Sequence, residues 1–279
     1  MSTPNHLFTV PVPESGPHPG GSITCSEPEA NVYLLVFASP PDNRLTTAFC
    51  TAMLTALDVI EFGYRPGVVI TTSSILKFYS NGLDLEHAQS TPGFWTDALY
   101  TLWRRLLTYP MPTISLMNGH TFAGGLMLAM HHDYRVFNPA RGFACLNELD
   151  FGAALKPPMS SIFRQKLAPA TYRTLVLEAR RFAGPAALDA GIVDALGSLP
   201  EALALVRDRG LTAKGTTGVY GILKMEMYRE SLALLAAAGF EAEEKRAMAL
   251  VTEDEERRER GLKWIEAWPR LSGIARLRC

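Results

Sequence analysis

Apolar residues run unbroken over 32–37, Val-Tyr-Leu-Leu-Val-Phe, and the length and composition of that run predict a strand buried on both faces. Ala48, Ala52, Met53, Ala56, Leu57 and Ile60 then recur at three- and four-residue spacing, which predicts an amphipathic helix. The strand-then-helix unit repeats: Val68-Val69-Ile70 reads as a second strand, and Phe94, Ala98, Leu99, Leu102, Trp103 and Leu106 mark one helical face. After Pro110 and Pro112, the pattern predicts a third strand over 113–117, a short helix over 124–130 and a fourth strand over 135–137. Such alternation argues for an α/β architecture with parallel strand pairing. From Pro157 onward the pattern is almost wholly helical, with charged or amphipathic helices expected over 226–238 and 241–264. A composition shift over 199–215 divides the chain into a core, 1–199, and a helical C-terminal region, 200–279.

Composition narrows the partners. With 279 residues, 47% of them hydrophobic, the chain can bury a full core. A formal net charge of −1 supplies no field to attract nucleic acid or an anionic membrane, so neither is expected as a partner. Cys25, Cys50, Cys145 and Cys279 are scattered without a C-x-x-C pair, which points away from a zinc site or disulfide framework and toward a reducing compartment. Residues 1–19 lack the basic start and apolar core of a secretory signal, and no apolar run approaches a bilayer-spanning length. The final Leu277-Arg278-Cys279 is neither an S-K-L address nor a prenylation box.

The chain has no G-x-S-x-G elbow, P-loop, G-x-G-x-x-G or H-E-x-x-H. His131-His132-Asp133 invites a metal reading, but neighbouring side chains diverge on a helix or strand, and structural histidines are expected there. Trp95, Trp103, Met127 and Met130 sit at core-like spacing and read as packing residues; Asp84 and Asp133 read as turn or cap residues, and Lys224 as a solvated helix lysine. Two glycine-containing loops remain, 77–85 around Ser80-Asn81-Gly82-Leu83-Asp84, and 118–126 around Gly124-Gly125. A glycine pair opening a helix leaves amide N–H groups free to approach a ligand. With the lone carboxylate of Glu148, in Leu146-Asn147-Glu148-Leu149, the pattern suggests an oxyanion hole served by one base.

These segments resemble the crotonase, or enoyl-CoA hydratase/isomerase, superfamily. Asp42-Asn43-Arg44-Leu45-Thr46 is similar to its N-x-L segment, 78–85 to its F-S-x-G-x-D-[LI] loop, and 187–194 to its A-x-x-x-G-[IL]-V-D segment. The resemblance implies a spiral of β-β-α turns and a helical C-terminal region that builds homotrimers or hexamers. It implies an acyl-CoA thioester as substrate, with no metal or redox cofactor. It assigns the N–H groups of Leu83 and Gly124 as oxyanion donors, Glu148 as the base, and Ser80, Asn81, Gly82, Asp84 and Asn147 as further substrate-binding positions. Family hydratases carry a second glutamate three residues after the helix glycine, where this chain has Met127, and dienoyl-CoA isomerases carry an aspartate where it has Lys156. The one-glutamate pattern is that of enoyl-CoA delta isomerases, and 128–134 and 147–152 resemble the plant and fungal peroxisomal members in particular. A peroxisomal or cytoplasmic setting follows. Two rivals stand beside this reading: another acyl-CoA reaction of the superfamily, such as hydration, and a non-catalytic binding or scaffold role. The Glu178-Ala179-Arg180-Arg181 segment departs from the family's glycine-containing turn.

Overall fold

The computed structural model describes residues 5–272. In chain order the elements are β1 (Asn5–Val12), β2 (Gly21–Glu29), β3 (Val32–Ala38), α1 (Thr47–Gly63), β4 (Val68–Ser73), β5 (Phe78–Ser80) and α2 (Leu85–Ser90). A π-helical turn, Phe94–Leu99, leads into α3 (Tyr100–Thr108), followed by β6 (Thr113–Met117), β7 (His120–Phe122), α4 (Gly124–Met130), β8 (Tyr134–Phe137) and β9 (Ala144–Cys145). A 3-10 turn, Glu148–Phe151, precedes α5 (Pro157–Lys166), α6 (Pro169–Leu177), α7 (Gly184–Asp189), β10 (Ala195–Leu196), α8 (Leu199–Asp208), α9 (Leu211–Gly215), α10 (Tyr220–Met227), α11 (Arg229–Leu234) and α12 (Ala237–Ser272).

Seven strands form one sheet in the order β1-β2-β3-β4-β6-β8-β10, and β5-β7-β9 form a second. The expected parallel pairing holds from β3 through β10, while β1, β2 and β3 form an antiparallel meander. Each of three successive turns sends one strand to the large sheet and the next to the small one, β4 then β5, β6 then β7, β8 then β9, before returning through helix. This is the spiral of β-β-α turns. Val32, Leu34, Val68, Ile70, Ile114, Leu116 and Val136 pack on one face of the large sheet, against Ala202, Leu205 and Val206 of α8 and Leu211 of α9. The helices just after residue 199 therefore share a core with the strands before it.

The chain divides into two compact units, the second beginning at Ala237. Among the described residues that second unit is α12, 36 residues long. Its surface carries intrahelical ion pairs, Arg257 with Asp254 at 2.7 Å and Arg260 with Glu256 at 3.5 Å. Among the described residues, no helix is long and apolar enough to cross a membrane.

Candidate active site

The two glycine-containing loops meet because Asn43 ties the first of them down. Buried Asn43 accepts a hydrogen bond from Ser39 N–H at 2.8 Å and donates through Nδ2 to Ser73 Oγ at 2.7 Å and Tyr79 O at 3.0 Å, linking the end of β3 to β4 and β5. The next residues continue the seam: Leu45 N–H donates to Gly82 O at 2.9 Å, and Arg44 Nη1 to Leu83 O at 2.8 Å. Asn81 is fixed from the same side, its N–H donating to Asp42 O at 3.0 Å and its Nδ2 to Asp42 Oδ2 at 2.6 Å. Gly82 has φ +83°, and a Cβ there would lie 3.0 Å from Gly124 N, so only glycine lets the loops touch. A Cβ on Gly124 would stand 3.3 Å from Leu83 N, and one on Gly125 would meet Ser80 O at 2.4 Å. Gly125 thus serves close packing, while Gly124 and Leu83 bring two amides side by side. Neither N–H has an acceptor among the described residues, and Gly124, as the first residue of α4, has none within its helix.

Both amides open into a cavity of about 790 Å³, and Glu148 lies in its wall with Asn81, Asn147, Phe151, Trp95 and Lys156. Glu148 opens the 3-10 turn and is 8% exposed. Its Oε2 is buried with no hydrogen-bond partner among the described residues. Burial pushes its pKa up to about 7. The Oδ1 of Asn147 is likewise buried and unpartnered. Phe151 shares the cavity with the carboxylate, whereas Phe122 packs against Phe78 and His120, and Met127 is buried inside α4. Ala123, just before the amide of Gly124, holds φ +49° and ψ −121°, a conformation that strains an alanine.

Of the residues expected at the site, Asn81, Leu83, Gly124, Asn147 and Glu148 line one cavity. Ser80, Gly82 and Asp84 lie behind it. Ser80 Oγ donates to Asn43 O at 2.7 Å, and Asp84 caps α2 by accepting from His87 N–H at 3.0 Å and pairs with His18 at 2.7 Å. Trp95 departs from its expected packing role. The π turn carries it into the cavity wall, where the Lys156 ammonium stands 4.8 Å from its ring centre. Arg44, Leu85, Gln89, Trp95, Lys156 and Met159 were not legible as site residues, because nothing in local spacing marks a side chain that reaches a cavity from another turn of the spiral.

Lys224 is also not the solvated lysine expected. It is 5% exposed, donates to Leu106 O at 2.7 Å and pairs with Asp133 at 2.8 Å. His131 and His132 are structural: both are buried, and their Nδ1 atoms lie 2.7 and 3.0 Å from the carbonyls of Met127 and Leu128.

Two converging amides and one buried carboxylate on a β-β-α spiral define a protein of the crotonase fold class. The family model for enoyl-CoA hydratase/isomerase matches residues 27–266, and the chain belongs to that family. Among curated relatives, enoyl-CoA delta isomerase 2, peroxisomal, of Arabidopsis thaliana is 32% identical over 75% of this chain and 93% of its own. Enoyl-CoA delta isomerase 1, peroxisomal, of the same plant is 33% identical over 75% and 91%. Among solved structures, human mitochondrial delta3-delta2-enoyl-CoA isomerase superposes with a TM-score of 0.68 at 23% identity, covering 90% of this chain and 99% of its own, which supports the fold.

Proposed function

We propose that the protein is an enoyl-CoA delta isomerase that moves a 3-enoyl double bond to the conjugated trans-2 position. The observation that carries this reading is one buried, unpartnered carboxylate, Glu148, sharing a cavity with the paired amides of Leu83 and Gly124. The thioester oxygen would accept from both amides, which stabilise the negative charge that develops when a proton leaves the α carbon, at about 3 to 4 kcal/mol per donor. Glu148 takes that proton and returns it to the γ carbon, and its raised pKa suits both halves of the transfer. Met127 stands where a hydratase would hold its second glutamate and cannot activate water. The route calls on no metal or redox group. The same reading carries a homotrimer or hexamer, and a peroxisomal or cytoplasmic setting, the first of which is in keeping with the names of two plant relatives.

Ultraviolet absorbance tests it. Incubation with a 3-enoyl-CoA is expected to raise the conjugated-thioester band, and Glu148→Gln to lower kcat by about 10²- to 10⁴-fold without loss of fold. Loss of that band from a 2-enoyl-CoA would reassign the chain as a hydratase, and binding without turnover of either would make it a scaffold.

A further inference from the structure

Charged side chains crowd the C-terminal end of α4, and one of them forms no ion pair. Arg135 pairs with Asp194 at 2.8 Å and Lys224 with Asp133 at 2.8 Å. Lys166, the last residue of α5, pairs with no carboxylate among the described residues. Its Nζ donates to Met130 O at 2.7 Å and His132 O at 2.6 Å, and it stands 5.0 Å from the centre of the Tyr228 ring. Lys166 is half-buried, and an ammonium that meets carbonyls in place of a carboxylate gives up hydration without an ion pair in return. Burial first, then Arg135 and Lys224, lowers its pKa, with Asp133 and Asp194 opposing. A cation kept in so unfavourable a place invites a role.

What it holds is the far end of the helix that begins at Gly124. His131 and His132 direct Nδ1 at Met127 O and Leu128 O, Lys166 takes Met130 O and His132 O, and Arg135 Nη1 also donates to His132 O at 3.3 Å, so four carbonyls at this end are met by side chains from four residues. Both imidazoles are buried and neutral, their pKa values pushed down to about 3, and Arg135 is paired with Asp194, so Lys166 is the one of the four that brings a charge to these carbonyls without a carboxylate bound to it. The peptide dipoles of α4 run from those carbonyls to the Gly124 N–H. Seven residues of helix place the two ends about 10 Å apart.

We propose that Lys166 is a positioning residue for the carbonyl-binding amide of Gly124, locking the rear of α4 and adding a positive charge, held by carbonyls and by no ion pair, behind the peptide stack that ends at the site. The inference rests on the reading of that amide as an oxyanion donor. With a further hydrogen bond at each end the ammonium stands about 15 Å from the enolate oxygen, and at an effective dielectric of about 20 one charge over that distance is worth about a sixfold change in rate. A lysine that merely closed a helix end would leave the polarisation of a bound carbonyl unaltered.

Lys166→Met removes charge and donors, Lys166→Gln keeps a donor without the charge, and Lys166→Arg keeps both. Each is assayed with a 3-enoyl-CoA and, separately, for the red shift of bound 2,4-hexadienoyl-CoA, whose band reports how strongly its carbonyl is polarised. The Met and Gln variants are expected to fold, to lose about sixfold in kcat with KM changed less than twofold, and to show a smaller red shift, while Arg restores both. A folded Met or Gln variant with full kcat and full red shift overturns the proposal, as does an Arg variant as impaired as Met. Neutral variants that all fail to fold overturn it too, in favour of a purely structural lysine. If the wild-type chain shifts the dienoyl band but does not isomerise, the isomerase reading falls and Lys166 is judged on the band; if it gives no shift, both fall.

Discussion

Glu148 presents one carboxyl oxygen to a cavity and has no donor for it, so the charged form of this side chain is the disfavoured one. Its pKa rises from 4.5 to about 7 on burial. For a carboxyl whose folded value lies above its unfolded value, the folded state binds the extra proton, so its contribution to stability is intact below about pH 4.5 and is lost as pH climbs through about 7. Activity that needs the ionised base runs the other way and rises over the same interval. Glu148→Gln is therefore expected to raise stability at pH 8 by at most about 3 kcal/mol, with the gain vanishing near pH 4, as read from urea denaturation at the two pH values. The residue itself could be picked out from sequence because it recurs in register with two glycine loops. Trp95 could not, since its apolar spacing is equally that of a core residue, and only the π turn swings it into the cavity.

Elements with strong periodicity were legible, and those governed by tertiary pairing were not. Strands β3, β4, β6 and β8 and helix α1 fall where their apolar spacing placed them, with Thr46 capping α1 at the Phe49 N–H. β1 and β2 escaped because they are half-exposed, polar and interrupted by Pro11 and Pro28. β5, β7 and β9 hold three residues or fewer, too short for any period, and exist because the small sheet pairs them. The helix expected over 226–238 is broken at Tyr228 and again after Leu234, before α12 begins. The unusual turn after α6 now has a physical description: Ala179, where the family pattern calls for glycine nearby, sits at φ +45°. A left-handed alanine costs on the order of 1 kcal/mol relative to glycine. Ala179→Gly is expected to stabilise the folded chain by about that amount in a denaturant titration, with little change in turnover.

Across the whole first unit, the C-terminal helices are tied to the sheet by charge as well as by apolar packing. Lys224 of α10 reaches the end of α3 through Leu106 O and the start of β8 through Asp133, and Asp133 also accepts from Thr113 N–H at 2.9 Å and Thr113 Oγ at 3.1 Å on β6. Four elements thus meet at one buried ion pair. Removing either partner leaves the other charge stranded. Lys224→Met and Asp133→Asn are each expected to cost about 3 to 5 kcal/mol, and the double variant much less than their sum, measured as a denaturation double-mutant cycle. Sequence spacing alone put Lys224 on a solvated face, because α10 leaves Ile222, Leu223 and Met225 exposed and turns its lysine inward, the reverse of an ordinary surface helix.

Among the described residues, two alanines hold positive-φ backbone, and they differ in what selection could do with them. Ala179 lies in the turn after α6, away from the cavity, where relief by glycine would be nearly free of consequence. Ala123 lies in the cavity wall, immediately before the amide of Gly124, with its N–H held by Cys145 O at 2.9 Å. There the strain is on the order of 1 to 3 kcal/mol, and glycine would relieve it at the cost of a freer peptide next to the proposed oxyanion donor. Stability and turnover are thus in conflict at one alanine and indifferent at the other, so a lineage drifting toward greater heat resistance would be free to accept glycine at 179 long before it could do so at 123.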